Sequence, residues 1–503
     1  MLDARCMIVG YGRLVLCISL MNWVCAASAV GDAIPDESLA AASSRHQRVA
    51  ARRSDTQIIC HRGAVEFAHE NSLEAYRAAF DLGADGNEID IRATKDGVLV
   101  CFHDDMLDGL LEAYGDVSDY SWETLQQFRF RDPGPFREQC RIPTLVEVFD
   151  LQKQYAGLLH LDIKRPELIE PVMQLVGRMD MWDQIVNAPA AVPDSRLKRN
   201  HYKAGLYLDR ADVDAKAILS ALEKPGDSVI VGDPRGVAVA LGRIIRRPSE
   251  KPVIPINVRS SQVIEKVDQK QLLSVLRDAA DWNKVASGQA EEQQSATRIL
   301  ARARAADAIA ELGITSDKAL KLLRQRVIDR SLHRDWRYNG LDGAAAFRAM
   351  IHLHAPNVAA LARFCLWRDD PGVEAVSNPE WKNPRSWTDW RTKMIVFPEL
   401  AKVPGVETEQ VCRDYLALSD EAAQGIGIPQ FEQAAKALLS ISPTEMTAMD
   451  LITHRRRDVR GRAILFCVAN ADQAWANHVL ALKAPHALAY VIPSTPQTGV
   501  SSR

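Results

Sequence analysis

HENSLEAYRAAFDLGADGNEIDIRATKDGVLVCFHD, residues 69–104, decides how this chain folds. Its first part, Ser72–Leu82, spaces apolar residues as an amphipathic helix does, and Asn71 with Glu74 forms a capping box at its start. Gly86–Ile91 and Val98–Phe102 then read as short strands. Working outward, further apolar runs fall at Gln57–Cys60, Leu158–Lys164, Gln184–Val186, Ala204–Leu208 and Ser228–Val231. Strands alternating with helices over this distance imply a parallel sheet, open or closed into a barrel.

Alternation along the strands sorts the polar residues. Glu88 and Asp90 share a face, as do Cys101 and His103, and His160 with Asp162 and Lys164. His61-Arg62-Gly63 closes the first strand. These side chains gather at the carboxyl ends of successive strands, where parallel α/β folds bind ligands. Histidine moves protons near neutral pH, and arginine offers a planar fork to phosphate. Buried carboxylates are costly unless a cation compensates them, so Glu88, Asp90 and Asp162 suit magnesium or calcium. A lone Glu-x-Asp is more often a solvated strand edge, and a lone histidine more often structural. The order and spacing of the set carry the weight.

The chain has 503 residues, more than one core usually organises, so at least two domains are expected. At 47% hydrophobic and 25% charged it is globular, and a net charge of -3 excludes a nucleic-acid binder driven by bulk electrostatics. Residues 1–29 read as a signal peptide. Arg5 and Arg13 precede an apolar run from Leu14 to Val24, and Ala27-Ser28-Ala29 ends it. A secreted or periplasmic location follows, with no stable membrane span after signal removal. Residues 30–54, rich in Ala, Ser and Arg, read as a flexible leader. The mature chain keeps Cys60, Cys101, Cys140, Cys365, Cys412 and Cys467, too widely spaced for a disulfide framework, so buried free thiols are expected.

Residues 55–245 make the α/β domain and the proline-bearing stretch 246–267 a linker. Helical spacing then runs through 268–492, and 493–503 reads as a disordered tail. Thr297–Leu312 followed by Asp317–Leu332 resembles one HEAT-like helix pair, and Asp458–Ala469 suggests another. This half shows no catalytic signature, and a scaffold with a protein partner is its simplest reading.

The series "CHRG" (60–63), the stretch 69–104, "IPTLVEVF" (142–149) and "LHLDIK" (159–164) resembles the glycerophosphodiester phosphodiesterase family over residues 57–243. The resemblance implies a TIM-type (β/α) barrel and one divalent metal ion, magnesium or calcium. It also implies hydrolysis of a small-molecule phosphodiester to glycerol phosphate and an alcohol. By position it makes His61 and His103 the acid–base pair, and Glu88, Asp90 and Asp162 the metal ligands. Arg62 and Lys164 then bind phosphate, and Glu70 orients a neighbour. Asp162 replaces the family's usual Glu, His69 its usual Pro, and Asp108-Gly109-Leu110 a segment that carries a basic residue. Only seven strands are legible, so an incomplete barrel stands beside the closed one. Two alternatives remain: lyase-type cleavage of lysophospholipids through a cyclic phosphate, and an inactive barrel that only binds.

Overall fold

The structure, a computed structural model, describes residues 34–131, 140–192, 228–249, 268–277, 289–328, 335–367, 390–425 and 430–492, with the single residues 197, 253, 331 and 333. The expected signal peptide at 1–29, the strand at 204–208 and the tail at 493–503 lie outside the described residues. The chain divides into two compact units, Met1–Arg259 with Ile492–Arg503, and Ser260–Val491.

In the first unit β1 (Gln57–His61), β2 (Gly86–Ala93), β4 (Leu158–Ile163), β5 (Ile185–Asn187) and β6 (Ser228–Val231) form a parallel sheet in the order β5-β4-β2-β1-β6. Helices α2 (Leu73–Asp81), α3 (Leu145–Tyr155), α4 (Ile169–Arg178) and α5 (Arg235–Ala240) connect or follow these strands. Residues of one parity meet the helices. Ile89, Ile91, Leu159, Leu161 and Ile163 pack with Tyr76 of α2, Val148 and Phe149 of α3 and Val172 of α4. Ile58 and Cys60 meet Ala78 and Ala79 of α2 and Val237 of α5. Helices on one face, with the last strand lying beside the first, mark a sheet wound as a barrel rather than an open doubly covered one. The opposite face carries the polar residues toward the carboxyl ends of the strands.

Three local expectations are corrected. The run read as Val98–Phe102 is β3 (Leu99–Cys101), and it pairs antiparallel with β2, not parallel. Only Thr94–Val98 separates the two strands, far short of the dozen or so residues a parallel crossover needs. The hairpin closes with Thr94 N–H donating to Val98 O at 3.0 Å. At α2 the cap is Ser72, whose hydroxyl accepts from Ala75 N, so Asn71 is released from capping.

The flexible leader expected at 30–54 is instead largely a helix, α1 (Leu39–Arg53), capped by the Ser38 hydroxyl. It lies against residues that precede the strands. Arg45 is 1% exposed and donates to Glu37, Asp180 and Gln184. Arg52 reaches Asp85, just before β2, and Arg53 the carbonyls of Asp183 and Ile185. Val49 packs with Ile59, Ala156, Leu158 and Val186, closing the amino-terminal end of the sheet. Asp85 ties this end together, accepting from Ile58 N at 2.9 Å, Arg52 at 3.0 Å and Arg243 at 2.5 Å.

The second unit is all helix among its described residues. The helices Gln289–Glu311 and Asp317–Ile328, expected to form a HEAT-like pair, both pack on the buried helix Leu341–His352. Asp342 holds this centre, 2.7 Å from Arg302 and bonded to the Ser331 hydroxyl. Further helices, among them Val358–Trp367, Trp390–Leu400, Glu445–Ile452 and Ala474–Lys483, make up the rest of the described residues of this unit. Cys60, Cys101, Cys140, Cys365, Cys412 and Cys467 are buried and free, as expected. Among the described residues no helix is long and apolar enough to cross a membrane.

The clamp on α1 is pH-sensitive. Hydrogen bonding from Arg45, together with Lys153 and against the cost of burial, holds the Glu37 carboxyl at about 2 instead of 4.5. A depressed carboxylate stabilises the fold above its unfolded pKa and stops doing so as pH falls through its folded one. Glu37→Gln should therefore lower the melting temperature at pH 7, and the gap to wild type should close as pH falls from 4.5 to about 2. A gap independent of pH across that range would contradict the clamp.

Candidate active site

Strand register assembles the site. Glu88 of β2 lies beside His61 of β1 and His160 of β4, and Asp90 beside Asp162. In-register neighbours on parallel strands project to the same face, so the alternation seen in sequence becomes one cluster. The carboxylates of Glu88, Asp90 and Asp162 each offer an oxygen, and these oxygens lie within 4.8 Å of one another. Lys164, one residue past β4, places its ammonium 2.6 Å from Asp90 and 2.7 Å from Asp162. His160 faces the same side and meets Asn187 of β5 at 3.3 Å.

Arg62 turns the chain into the cluster. Its φ is +56°, a left-handed conformation that costs a non-glycine residue about 1–3 kcal/mol unless its surroundings impose it. Here they do. Its N–H donates to Glu88 at 3.1 Å and its carbonyl accepts from Asn71 N at 2.9 Å. The guanidinium then sits 3.2 Å from Glu70 and 3.4 Å from Asp90. Gly63 follows with φ +82°, and a Cβ there would stand 2.7 Å from the Ala75 backbone carbon. The helix start and the strand end are pressed together, so the motif requires glycine.

Asn71, read from sequence as a cap, belongs to this site. Its amide donates to Asp90 at 2.8 Å, and its oxygen accepts from Tyr76 OH at 2.7 Å and Asp90 N at 3.2 Å. The tyrosine fixes which way the amide points. Polar Tyr76 inside an otherwise apolar helix face is the one sequence signal that could have pointed to the pair.

His103 sits not on β3 but in the loop after it. Its Nδ1 is 2.8 Å from Asp104, and the ring bears electrostatically on His61. His69, where the family has proline, stacks on Phe130 with ring centroids 4.0 Å apart. In the Asp108-Gly109-Leu110 segment, a Cβ on Gly109 would lie 2.8 Å from the Asp104 carboxylate, the far end of a side chain that can turn away.

Burial and the adjacent Asp90 charge push the Glu88 carboxyl up to about 8. Asp90 is held low: burial opposes this, but Lys164 and Arg62 outweigh it. Burial raises Glu70 as well. Burial, with Arg62 beside it, lowers His61 to about 4, and burial lowers His160 likewise. An all-oxygen set in which one carboxylate resists ionisation is short of positive charge, and this chemistry fits a hard divalent cation.

The fold and this cluster define an α/β barrel-type domain with an acidic, histidine-flanked site at the carboxyl ends of its strands. Residues 61–219 match the sequence model of the glycerophosphoryl diester phosphodiesterase family. A glycerophosphodiester phosphodiesterase of Caldanaerobacter subterraneus subsp. tengcongensis is 39% identical over 163 residues, 30% of this chain and 66% of that one. A putative glycerophosphodiester phosphodiesterase of Bacillus subtilis is 37% identical over 126 residues, 24% of this chain and 51% of that one. The chain thus spans between half and two thirds of these relatives. A glycerophosphodiester phosphodiesterase structure from Agrobacterium tumefaciens covers 37% of this chain and 99% of that one, at 19% identity and a TM-score of 0.31.

Gly63→Ala tests the pressed geometry. A backbone clash at positive φ should cost at least about 2 kcal/mol, lowering the melting temperature by about 4–8 °C. An unchanged melting curve would show that the approach of α2 to Gly63 is loose.

Proposed function

We propose that the first unit hydrolyses glycerophosphodiesters to glycerol phosphate and an alcohol, using one divalent metal ion, magnesium or calcium. The observation that carries this reading is the convergence of Glu88, Asp90 and Asp162, from two adjacent strands, beside Lys164 and Arg62. The match of residues 61–219 to the glycerophosphoryl diester phosphodiesterase family model supports the substrate class.

Glu88, Asp90 and Asp162 would hold the cation, and Lys164 would move from bridging Asp90 and Asp162 to facing a phosphoryl oxygen. When bound, the cation polarises the phosphoryl group and offsets its developing charge. Arg62 presents its fork to the phosphate, and Glu70 keeps that fork oriented. His61 and His103 divide the proton transfers. One imidazole takes the proton of the water that attacks phosphorus, and the other, protonated, supplies the proton to the departing alkoxide as the P–O bond breaks. His61 begins in the neutral form at neutral pH because burial disfavours its charge.

The run from Arg5 to Ala29 supports export, and we place the enzyme outside the cytoplasm. The helical unit, which holds no cluster of metal-ligating groups among its described residues, serves as a protein-binding scaffold.

The test is release of glycerol phosphate from a panel of glycerophosphodiesters with magnesium, with calcium, and with chelator. Activity should require metal. Glu88→Ala, His61→Ala and His103→Ala should each lose at least about 10²-fold in kcat, with only Glu88→Ala weakening metal binding by calorimetry. Chelator-resistant turnover, or full activity in either histidine variant, would overturn the assignment. A cyclic phosphate as the final product would make the reaction an intramolecular one.

A further inference from the structure

His103 lies in a loop, so its place in the site depends on what holds that loop. Phe102 N–H donates to Asp90 O at 3.0 Å, a continuation of the β2–β3 ladder. Beyond it the backbone leaves the sheet. The next anchor comes from Arg92, two residues past Asp90 and on the same face of β2 as Glu88 and Asp90. Its Nε and Nη2 both donate to the His103 carbonyl, at 3.2 and 2.6 Å, and Nη2 also donates to the Asp105 carboxylate at 2.9 Å. Arg92 is only 5% exposed. A guanidinium is rarely buried to that extent without hydrogen bonds to match, and here they go to one loop.

The three bonds grip the loop on both sides of Asp104, the residue whose carboxylate meets His103 Nδ1. The peptide carbonyl of His103 is fixed by two donor nitrogens at once, and one of these, Nη2, also fixes the Asp105 side chain. Asp108-Gly109-Leu110, downstream, adds no cation to this turn. The strand that carries two of the three carboxylates therefore also sets where the histidine stands.

We infer that Arg92 is a positioning residue for His103, coupling the acid–base loop to the carboxylate-bearing strand. This rests on the hydrolase reading for its kinetic arm, while its structural arm stands without it. Arg92 touches neither substrate nor metal in this scheme. Its guanidinium geometry is what matters, because a lysine ammonium is a compact point charge that cannot reproduce the paired Nε and Nη2 donors.

Arg92→Lys and Arg92→Met separate charge from geometry, and Asp105→Asn removes only the outer bond. Kinetics are measured on glycerophosphocholine with saturating magnesium. Misplacing a catalytic group by about 1 Å can cost about 10²-fold, so kcat should fall about 10–100-fold in both Arg92 variants with KM nearly unchanged. Asp105→Asn should fall less, and magnesium affinity by calorimetry should hold in all three. The second readout is the imidazole 15N spectrum of histidine-labelled protein, with the His103 signal assigned by its absence in His103→Ala. That signal should shift or broaden in Arg92→Lys while the His160 signal stays in place. Full kcat together with an unmoved His103 signal in Arg92→Lys overturns the inference, as does a kcat loss that tracks lost magnesium affinity. If the wild type proves inactive but the His103 signal moves, the positioning role holds and the hydrolase reading falls. If Arg92→Met does not fold, Arg92→Lys and Asp105→Asn still decide.

Discussion

Two carboxylates buried on one face of a central strand are the constraint around which the first unit is arranged. Glu88 and Asp90 are 4% and 1% exposed, and β2 is bordered by β1, β3 and β4, so neither can turn to water. Such a pair is held only if the surroundings return the lost solvation. Three local features answer that demand. Arg62 adopts a left-handed backbone and aims its N–H at Glu88 and its guanidinium at Asp90. Asn71 gives its amide to Asp90, and Lys164 lies between Asp90 and Asp162. The compensation is incomplete at Glu88, whose carboxyl is pushed up to about 8. A site that remains short of positive charge in its resting state is one prepared to take up a cation.

The two ends of the sheet divide their work. At the carboxyl end, charges are close and only partly balanced. At the amino end they are close and paired: Arg45 donates to Glu37, Asp180 and Gln184, and Asp85 accepts from a strand N–H and two arginines. Buried ion pairs stabilise little by themselves, but removing one partner of such a network is costly. The amino end accordingly specifies how α1 and the segment after β6 close on the sheet.

Much of this was legible in the sequence because strand parity is strict. Once Gly86–Ile91 and Leu158–Lys164 are strands, Glu88, Asp90 and Asp162 have one place to go, and register does the rest. What was not legible depends on distant partners. Helix α1 offers little apolar periodicity, with Val49 as its main core contact, and its buried arginine is matched by residues 135 and 139 positions away. Arg92 has the parity of Glu88 and Asp90, yet an arginine at a strand end usually faces water, and only the loop fold reveals the carbonyl it holds. The direction of β3 was legible in principle from the five residues between it and β2. In the second unit, the helix Leu341–His352 is buried on nearly every side, Asp342 and Arg348 included, so periodicity gives no hint that two earlier helices share it.

Helix α1 also fixes an orientation. It runs beneath the strands, gripped at Glu37 by Arg45 and Lys153 and at its far end by the carbonyls before β5. Val49 of this helix packs with Ile59, Leu158 and Val186, at the end of the sheet away from His61 and His103. A tether attached to α1 itself would hold the domain by its back and leave the carboxylate cluster open to molecules arriving from solution.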